Sequence, residues 1–375
     1  MKERKYVLLY YVNTDRGFLS HRLELAKKAL SEGYEVHLMT NITDYKKYIE
    51  NEGIVIYESN LSRGFNILKD IFAVFSFVTT VLKIKPDIIH SVSNKNNIIC
   101  GFLANFLGVK KIILAVSGLG YIFIKKNLIN KIARKILSIS FNLAINRKDS
   151  FIIVQNSNDQ KIVNNFIRKK LKRKNVVLIK GSGVNTKYFY PVRESEGNLN
   201  ISLVARMIYD KGIREFVEAA IILKKKYIGI EFNLYGDPDR HNPSSIPIQK
   251  LNEWNNKKII NWRGHVEDTL SIYHKSHIIV LPSYREGMPK AILEASACGR
   301  PCIVTNVAGC NESIKVNQTG LLVELYDVND LVDKIELLIL NRDMRIKMGK
   351  EARIFSEKVF DINMINSKQL NLYKI

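Results

Sequence analysis

The sequence has little that would make it a metalloprotein, a disulfide scaffold or an integral membrane protein. Its 375 residues include four cysteines, Cys100, Cys298, Cys302 and Cys310, and none forms a CxxC pair. Sparse, unpaired thiols fit a reducing compartment and small buried side chains. The seven histidines show no HxxxH or HExxH spacing. No serine or cysteine sits in a GxSxG elbow, and no GxxxxGK[ST] phosphate loop is present. No apolar run reaches the ~20 residues that span a bilayer; the longest, 71–82 and 136–145, are flanked by lysine or arginine. The opening MKERKYVLLYYVN has no cleavage site and reads as a first strand, so the expected location is the cytoplasm. Repeats at solenoid periods are also missing.

What the chain does have is apolar content and positive charge. Hydrophobic residues make up 46% and charged residues 25%, a globular composition, and the length suits two domains. The net charge is +22. It is unevenly placed: residues 1–190 carry 32 Lys/Arg against 13 Asp/Glu, and residues 191–375 carry 26 against 23. The first half therefore stands at +19 and the second at +3. Such an asymmetry points to an anionic partner for the first half; nucleic acid, an anionic membrane surface and a phosphorylated substrate all fit.

Apolar strand-like runs alternate with helical patterns throughout. YVLLYYV (6–12) precedes a polar turn and a helix over HRLELAKKALSEG, stopped by Gly33 and followed by the strand YEVHLMT. PDIIHSVS (86–93), KKIILAVSG (110–118), FIIVQNS (151–157) and NVVLIKGSG (175–183) continue the series. A second series comprises LNISLVARM (199–207), IEFNLYGD (230–237), KIINWRGH (258–265), HIIVLPS (277–283), PCIVTN (301–306) and GLLVE (320–324). Continuous apolar strands joined by helices predict parallel sheets covered on both faces. We expect two doubly wound α/β domains, 1–184 and 199–355, with a polar hinge at 185–198 and a last helix at 356–375 packing back on the first domain. Ligands of such sheets bind beyond the carboxyl ends of the strands, here in a cleft between the domains.

REGMPKAILEA (285–295) places Glu286 in the loop after one such strand and Glu294 within an apolar helix. Pro289 suits the first helical position and Gly299 the stop. A buried carboxylate needs hydrogen-bond donors, and a ribose diol supplies two. The alternative is a solvent-facing Glu294 paired with Lys290. VARMIYDKGIREF (204–216) brings Arg206 and Lys211 to the start of a helix opened by Gly212. A guanidinium, an ammonium and free helix N–H groups suit a diphosphate; a solvated basic loop is the alternative. DPD (237–239) matches an Asp-x-Asp metal pattern but sits among turn residues and reads as a turn.

Arg206 and Lys211 followed by Glu286-x7-Glu294 resemble family 4 of the nucleotide-sugar glycosyltransferases, of GT-B type, over essentially the whole chain. The resemblance implies two facing Rossmann-like domains. It implies that Arg206 and Lys211 hold the donor diphosphate. Glu286, with the loop Gly287, Met288 and Pro289, contacts the transferred sugar, and Glu294 binds the ribose. FLSHRLELA (18–26), HSVSNKNN (90–97), AVSGLGYIF (115–123), QNSND (155–159) and KGSGVNTKYFYP (180–191) resemble bacterial enzymes that extend sugars on undecaprenyl diphosphate, nearest to those adding α-linked N-acetylgalactosamine. The chain departs from the broad family in two places. Only Gly17 stands where many members have a glycine pair in the first, donor-facing loop, and SGLG replaces a strand with a histidine. His21, Arg22, Lys95, Gly118 and Gly120 are the candidates for the acceptor and transition-state contacts, followed by His90 and Ser182.

The expected activity is retaining transfer of a sugar, an N-acetylhexosamine such as N-acetylgalactosamine, from a UDP-sugar to an undecaprenyl-diphosphate-linked saccharide. No metal or other cofactor is expected, since cations of the protein face the leaving diphosphate. A UDP-sugar 2-epimerase shares this architecture and is the alternative enzyme. A basic nucleic-acid binder is the alternative of another class, but no aromatic platform or helix-turn-helix pattern accompanies the charge. KKNLINKIARKILSISFNLAINRK (125–148) alternates basic and apolar residues at near-helical spacing. It is either a core helix or an interfacial one that docks on anionic lipid, which would make the protein peripheral on the inner face of the plasma membrane.

Overall fold

The computed structural model describes residues 4–61, 66–119, 123, 127–146, 149–168, 170–239 and 242–374. Gly120 and the cations Lys125, Lys126, Arg147 and Lys148 lie outside the described residues. The chain divides into two compact units, Met1–Ser182 with Ile365–Ile375, and Gly183–Met364.

In the first unit, β1 (Val7–Thr14), β2 (Glu35–Asn41), β3 (Val55–Glu58), β4 (Ile88–Val92), β5 (Lys111–Val116), β6 (Phe151–Val154) and β7 (Val176–Leu178) form one parallel sheet. The order is β3-β2-β1-β4-β5-β6-β7, so the winding reverses between β1 and β4. β4 and β5 are buried along their length, with His90, Ser91 and Lys111 among mostly apolar side chains, as a sheet covered on both faces requires. The sequence reading missed β3, an edge strand whose four residues are only partly covered.

Helices Ile67–Ile84, Asn94–Leu103 and Leu128–Ile145 lie on one face of this sheet. The first and third begin at Asn66 and Asn127, whose side chains accept from the third backbone N–H beyond, satisfying one orphan donor each. Ala73, Phe77, Cys100, Leu137 and Phe141 from these helices share one apolar cluster with Leu9, Tyr11, Ile89 and Ile112 of the strands. Strand side chains alternate between faces, so Tyr10 and His90 point to the other side. There Tyr373 of the C-terminal segment donates to or accepts from Tyr10 Oη at 3.0 Å and lies 2.6 Å from His90 Nδ1.

The helix expected over 21–33 is present as Leu23–Ser31, and a separate helix, Asp15–His21, precedes it. Arg22 breaks them: its φ of −134° is not helical, and its guanidinium Nη1 donates 2.8 Å to the His21 carbonyl. The residues expected as a polar turn before it are mostly in the first of these helices, capped by Thr14.

The second unit is a parallel sheet of β8 (Leu199–Val204), β9 (Ile230–Tyr235), β10 (Asn261–Trp262), β11 (Ile278–Leu281), β12 (Cys302–Thr305) and β13 (Gly320–Val323), in the order β10-β9-β8-β11-β12-β13. The reversal falls between β8 and β11. Residues 185–198, expected as a hinge, belong to this unit, where Glu194 pairs with the buried Arg345 at 3.0 Å. Among the described residues, no helix is long and apolar enough to cross a membrane.

Candidate active site

The candidate donor residues gather at the carboxyl ends of β8 and β11, the two strands that flank the reversal of the second sheet. After β8 the chain passes Arg206 and makes a 3-10 turn at Tyr209–Lys211. Gly212 then turns left-handed, with φ +71°, before helix Ile213–Lys226. A Cβ on Gly212 would run into the Pro282 carbonyl. That close approach brings the Arg206–Lys211 turn against the end of β11. Two bonds hold it there: Tyr284 N–H donates to the Asp210 carbonyl at 2.9 Å, and the Ser283 hydroxyl lies 3.0 Å from the same oxygen.

Glu286 sits in the loop that follows. Lys211 Nζ donates to Glu286 Oε1 in an ion pair whose side chains are both mostly covered. Ser283 Oγ lies 2.7 Å from the same oxygen. The loop itself rests on Gly309, with Glu286 N–H donating 3.1 Å to the Ala308 carbonyl. Any Cβ at Gly309, whose φ is +82°, would collide with the carbonyls of Glu286 and Gly287. Glycine is the residue that lets the loop lie this close to its support. An ammonium carries three donors, so Lys211 can keep Glu286 and still present N–H to an anion.

Helix Lys290–Ala297 follows, with Met288 buried and Pro289 at the cap position, one residue earlier than expected. Glu294 is 7% exposed. It accepts from Tyr273 Oη at 2.8 Å and stands 3.4 Å from Lys290 Nζ. The carboxylate is therefore buried rather than solvent-facing, although Lys290 is its ion-pair partner. Burial, with Glu294 beside it, holds the Tyr273 phenol well above its ordinary pKa, so it remains a donor.

Arg206 is half exposed and donates from Nη1 to Asp239 Oδ2 at 2.6 Å. Asp239 of the DPD turn is thus committed to an arginine, and Asp237 Oδ1 accepts from His265 N–H at 3.0 Å. Among the described residues, no three His, Cys, Asp or Glu side chains come together as metal ligands would.

The first-unit candidates are more scattered. Gly17 N–H donates 3.1 Å to the Thr14 hydroxyl, and His21 Nδ1 lies 3.0 Å from Ser182 Oγ. Lys95 donates to both oxygens of Asp70 at 2.7 Å. Gly118 has φ +114° just beyond β5. Gly120 lies outside the described residues. Arg22 is almost fully buried and sits beside Tyr10 and Tyr373, with burial pulling its pKa down. His90 is fully buried, and desolvation, with Arg22 near it, pushes its pKa well below 6.5, so it is neutral.

Ser283, Tyr273 and Gly309 are not among the candidates the sequence offers, and Asp239 entered only as part of the DPD turn, not as the partner of Arg206. Ser283 precedes Glu286 by three residues and was within reach of a closer look at the loop. Tyr273 and Gly309 come from other elements, and no local spacing marks them.

Two parallel Rossmann-like sheets, each reversing its winding at a central strand pair, define the GT-B class of glycosyltransferases. The family model "Glycosyl transferases group 1" matches residues 184–355, and "Glycosyl transferase 4-like" matches residues 7–156. N,N'-diacetylbacillosaminyl-diphospho-undecaprenol alpha-1,3-N-acetylgalactosaminyltransferase of Campylobacter jejuni is 30% identical over 95% of this chain and 97% of its own. UDP-Gal:alpha-D-GlcNAc-diphosphoundecaprenol alpha-1,3-galactosyltransferase of Escherichia coli is 27% identical over 86% of this chain and 84% of its own. Among solved structures, the Anabaena protein HepE in complex with UDP superposes with a TM-score of 0.75 at 14% identity, covering 98% of each chain. The chain belongs to the family 4, group 1 glycosyltransferases and is an enzyme of that kind.

Proposed function

We propose that the protein is a retaining glycosyltransferase moving an N-acetylhexosamine, such as N-acetylgalactosamine, from a UDP-sugar to an undecaprenyl-diphosphate-linked saccharide. The glycan is a bacterial surface polysaccharide or a glycoprotein glycan. The observation that supports the donor half is the Lys211–Glu286 ion pair, which joins the turn after β8 to the loop after β11. The acceptor half is supported by the full-length likeness to the Campylobacter jejuni enzyme, whose name specifies such an acceptor.

In this reading Lys211 and Arg206 receive the donor diphosphate. Arg206, whose own side chain is more than half exposed, turns from Asp239 to the phosphate. Glu286, with Gly287, Met288 and Pro289, meets the transferred sugar, and Gly17 is assigned to the donor as well. Glu294 accepts from the ribose hydroxyls. The acceptor hydroxyl attacks the anomeric carbon from the side of the leaving group. The C1–O bond to the diphosphate breaks as the new one forms, and the departing phosphate oxygen takes the hydroxyl proton. No covalent intermediate forms. The charge that develops on the diphosphate is met by fixed cations, often the largest catalytic contribution. His21, Arg22, Lys95, Gly118 and Gly120 serve the acceptor, Arg22 by fixing the peptide of His21 through its carbonyl.

No metal is needed in this scheme, and an anionic membrane surface is the second partner, on the inner face of the plasma membrane. The test is incubation with UDP-N-acetylhexosamines and a synthetic undecaprenyl-diphosphate saccharide, with products read by mass spectrometry and anomeric configuration by NMR. An α-linked product that persists in EDTA is expected. Epimerised UDP-sugar in the absence of acceptor would replace this reading with the 2-epimerase. Full loss in EDTA, restored by Mn²⁺ and abolished by Asp239→Ala, would return the DPD turn to a metal role.

A further inference from the structure

On helix Ile67–Ile84, Leu68, Ile71, Phe72 and Phe75 fall at i, i+3, i+4 and i+7 and form one stripe. They are 70%, 59%, 67% and 68% exposed. The opposite stripe, Ala73, Phe77 and Val81, is buried against the sheet. A helix apolar on both faces is ordinarily enclosed on both, and soluble surfaces rarely leave such a patch uncovered. Leu128 and Ile129 of helix Leu128–Ile145 are exposed in the same helix layer.

Basic side chains border these apolar stripes. Lys69 and Lys83 on the first helix, and Lys131 and Lys135 on the second, are exposed. A second copy docking by the same face would set lysines against lysines, since a two-fold interface is self-complementary in position. Anionic headgroups meet those lysines favourably. Neither helix is apolar enough to span the bilayer. A helix with an apolar stripe and basic flanks lies in the interfacial plane instead.

We propose that this layer docks on an anionic lipid bilayer, with Leu68, Ile71, Phe72 and Phe75 inserted below the headgroups as a hydrophobic anchor. The anchor adds to the electrostatic contact of Lys131 and Lys135, and it deepens the membrane partnership of the proposed function. Salt screens the lysines over about 10 Å at 0.1 M and about 3 Å at 1 M, but it leaves the apolar contribution in place.

Co-sedimentation of the full chain with phosphatidylglycerol vesicles, at low and at about 1 M salt, tests this. The wild type should retain vesicle binding at high salt. Phe72→Ser/Phe75→Ser should lower the high-salt partition by at least about tenfold, as expected from removing two inserted aromatic rings. Leu68→Ser/Ile71→Ser, on the same stripe, should do the same while both variants keep the wild-type melting transition. Equal high-salt partition of the wild type and both variants overturns the proposal. So does a wild-type dimer in lipid-free solution that these variants dissociate while vesicle binding persists. Calorimetry with UDP on the same proteins separates the two readings: absent UDP binding removes the donor assignment and leaves the vesicle result standing.

Discussion

Lys211 and Glu286 are paired across seventy-five residues of chain, and each holds the other in a place where neither would sit alone. Removing one leaves a largely covered opposite charge. Lys211→Ala should therefore cost at least ~2 kcal/mol in transition-state stabilisation, about thirtyfold in kcat/KM, because a partner of the leaving diphosphate is lost. Glu286→Ala should lower turnover and leave UDP affinity nearly intact, and calorimetry with UDP beside steady-state rates on both variants checks the division. Tyr273 offers a sharper probe. Its hydroxyl holds Glu294 Oε2 at 2.8 Å, so Tyr273→Phe should loosen the carboxylate proposed to meet the ribose. The expected result is a smaller preference for UDP over 2′-deoxy-UDP, with Glu294→Gln abolishing that preference. A merely structural tyrosine would weaken both nucleotides alike.

The C-terminal segment Ile365–Ile375 belongs to the first unit, and Tyr373 is its deepest polar contact. The Tyr373 hydroxyl sits between His90 Nδ1 and Tyr10 Oη, with Arg22 close by. Burial and the Arg22 charge keep His90 neutral in the folded protein, well below its ordinary 6.5. The unfolded chain takes up a proton below that value while the folded one does not. Stability is thus complete above about pH 6.5 and falls as the pH drops, by up to ~1.4 kcal/mol per pH unit. His90→Asn keeps a partner for Tyr373 near the Nδ1 position and removes the titration. Thermal melts at pH 7.5 and 5 should show a smaller acid loss in the variant; His277, also held below its ordinary pKa by burial, contributes equally to both proteins. Other elements differ in how far they could be read ahead. β4 and β5 are buried on both faces and announced themselves as largely apolar runs, although β4 also buries His90 and Ser91. β3 is an edge strand with exposed ends; Val55, Ile56 and Tyr57 favour a strand, but four residues are too few to show the burial pattern of the central strands. The break at Arg22 arises from a side chain taking a backbone carbonyl, which no periodicity records. Glu286 and Glu294 were legible because an apolar frame around a carboxylate is unusual. Tyr273 and Gly309 were not, because their meaning lies in contacts between distant segments.

Over the whole chain the charge divides into +19 for residues 1–190 and +3 for residues 191–375. A lysine-rich composition alone would have spread it evenly. Part of the excess stands on helix Leu128–Ile145, where the structure separates two sets of apolar residues that the sequence offered as one. Leu137 and Ile145 are buried, whereas Ile129, Ile132 and Ile136 are exposed beside Lys131 and Lys135. Arg134 leans over the Phe123 ring at 5.6 Å. The helix is therefore both a core helix and a basic outer surface, and its charge can be reversed without touching the buried side. Lys131→Glu/Arg134→Glu/Lys135→Glu should fold and keep its UDP affinity, because Arg206, Lys211, Glu286 and Glu294 all lie in the second unit. At about 1 kcal/mol per cation near an anionic surface, reversing three of them should weaken low-salt binding to phosphatidylglycerol vesicles by well over tenfold. Activity on a long-chain polyprenyl-diphosphate acceptor presented in vesicles should fall more than activity on a short, water-soluble one. Equal losses on the two acceptors would assign these cations to the acceptor diphosphate itself. Undiminished low-salt vesicle binding would move the electrostatic contact elsewhere, to the basic run of residues 168–174.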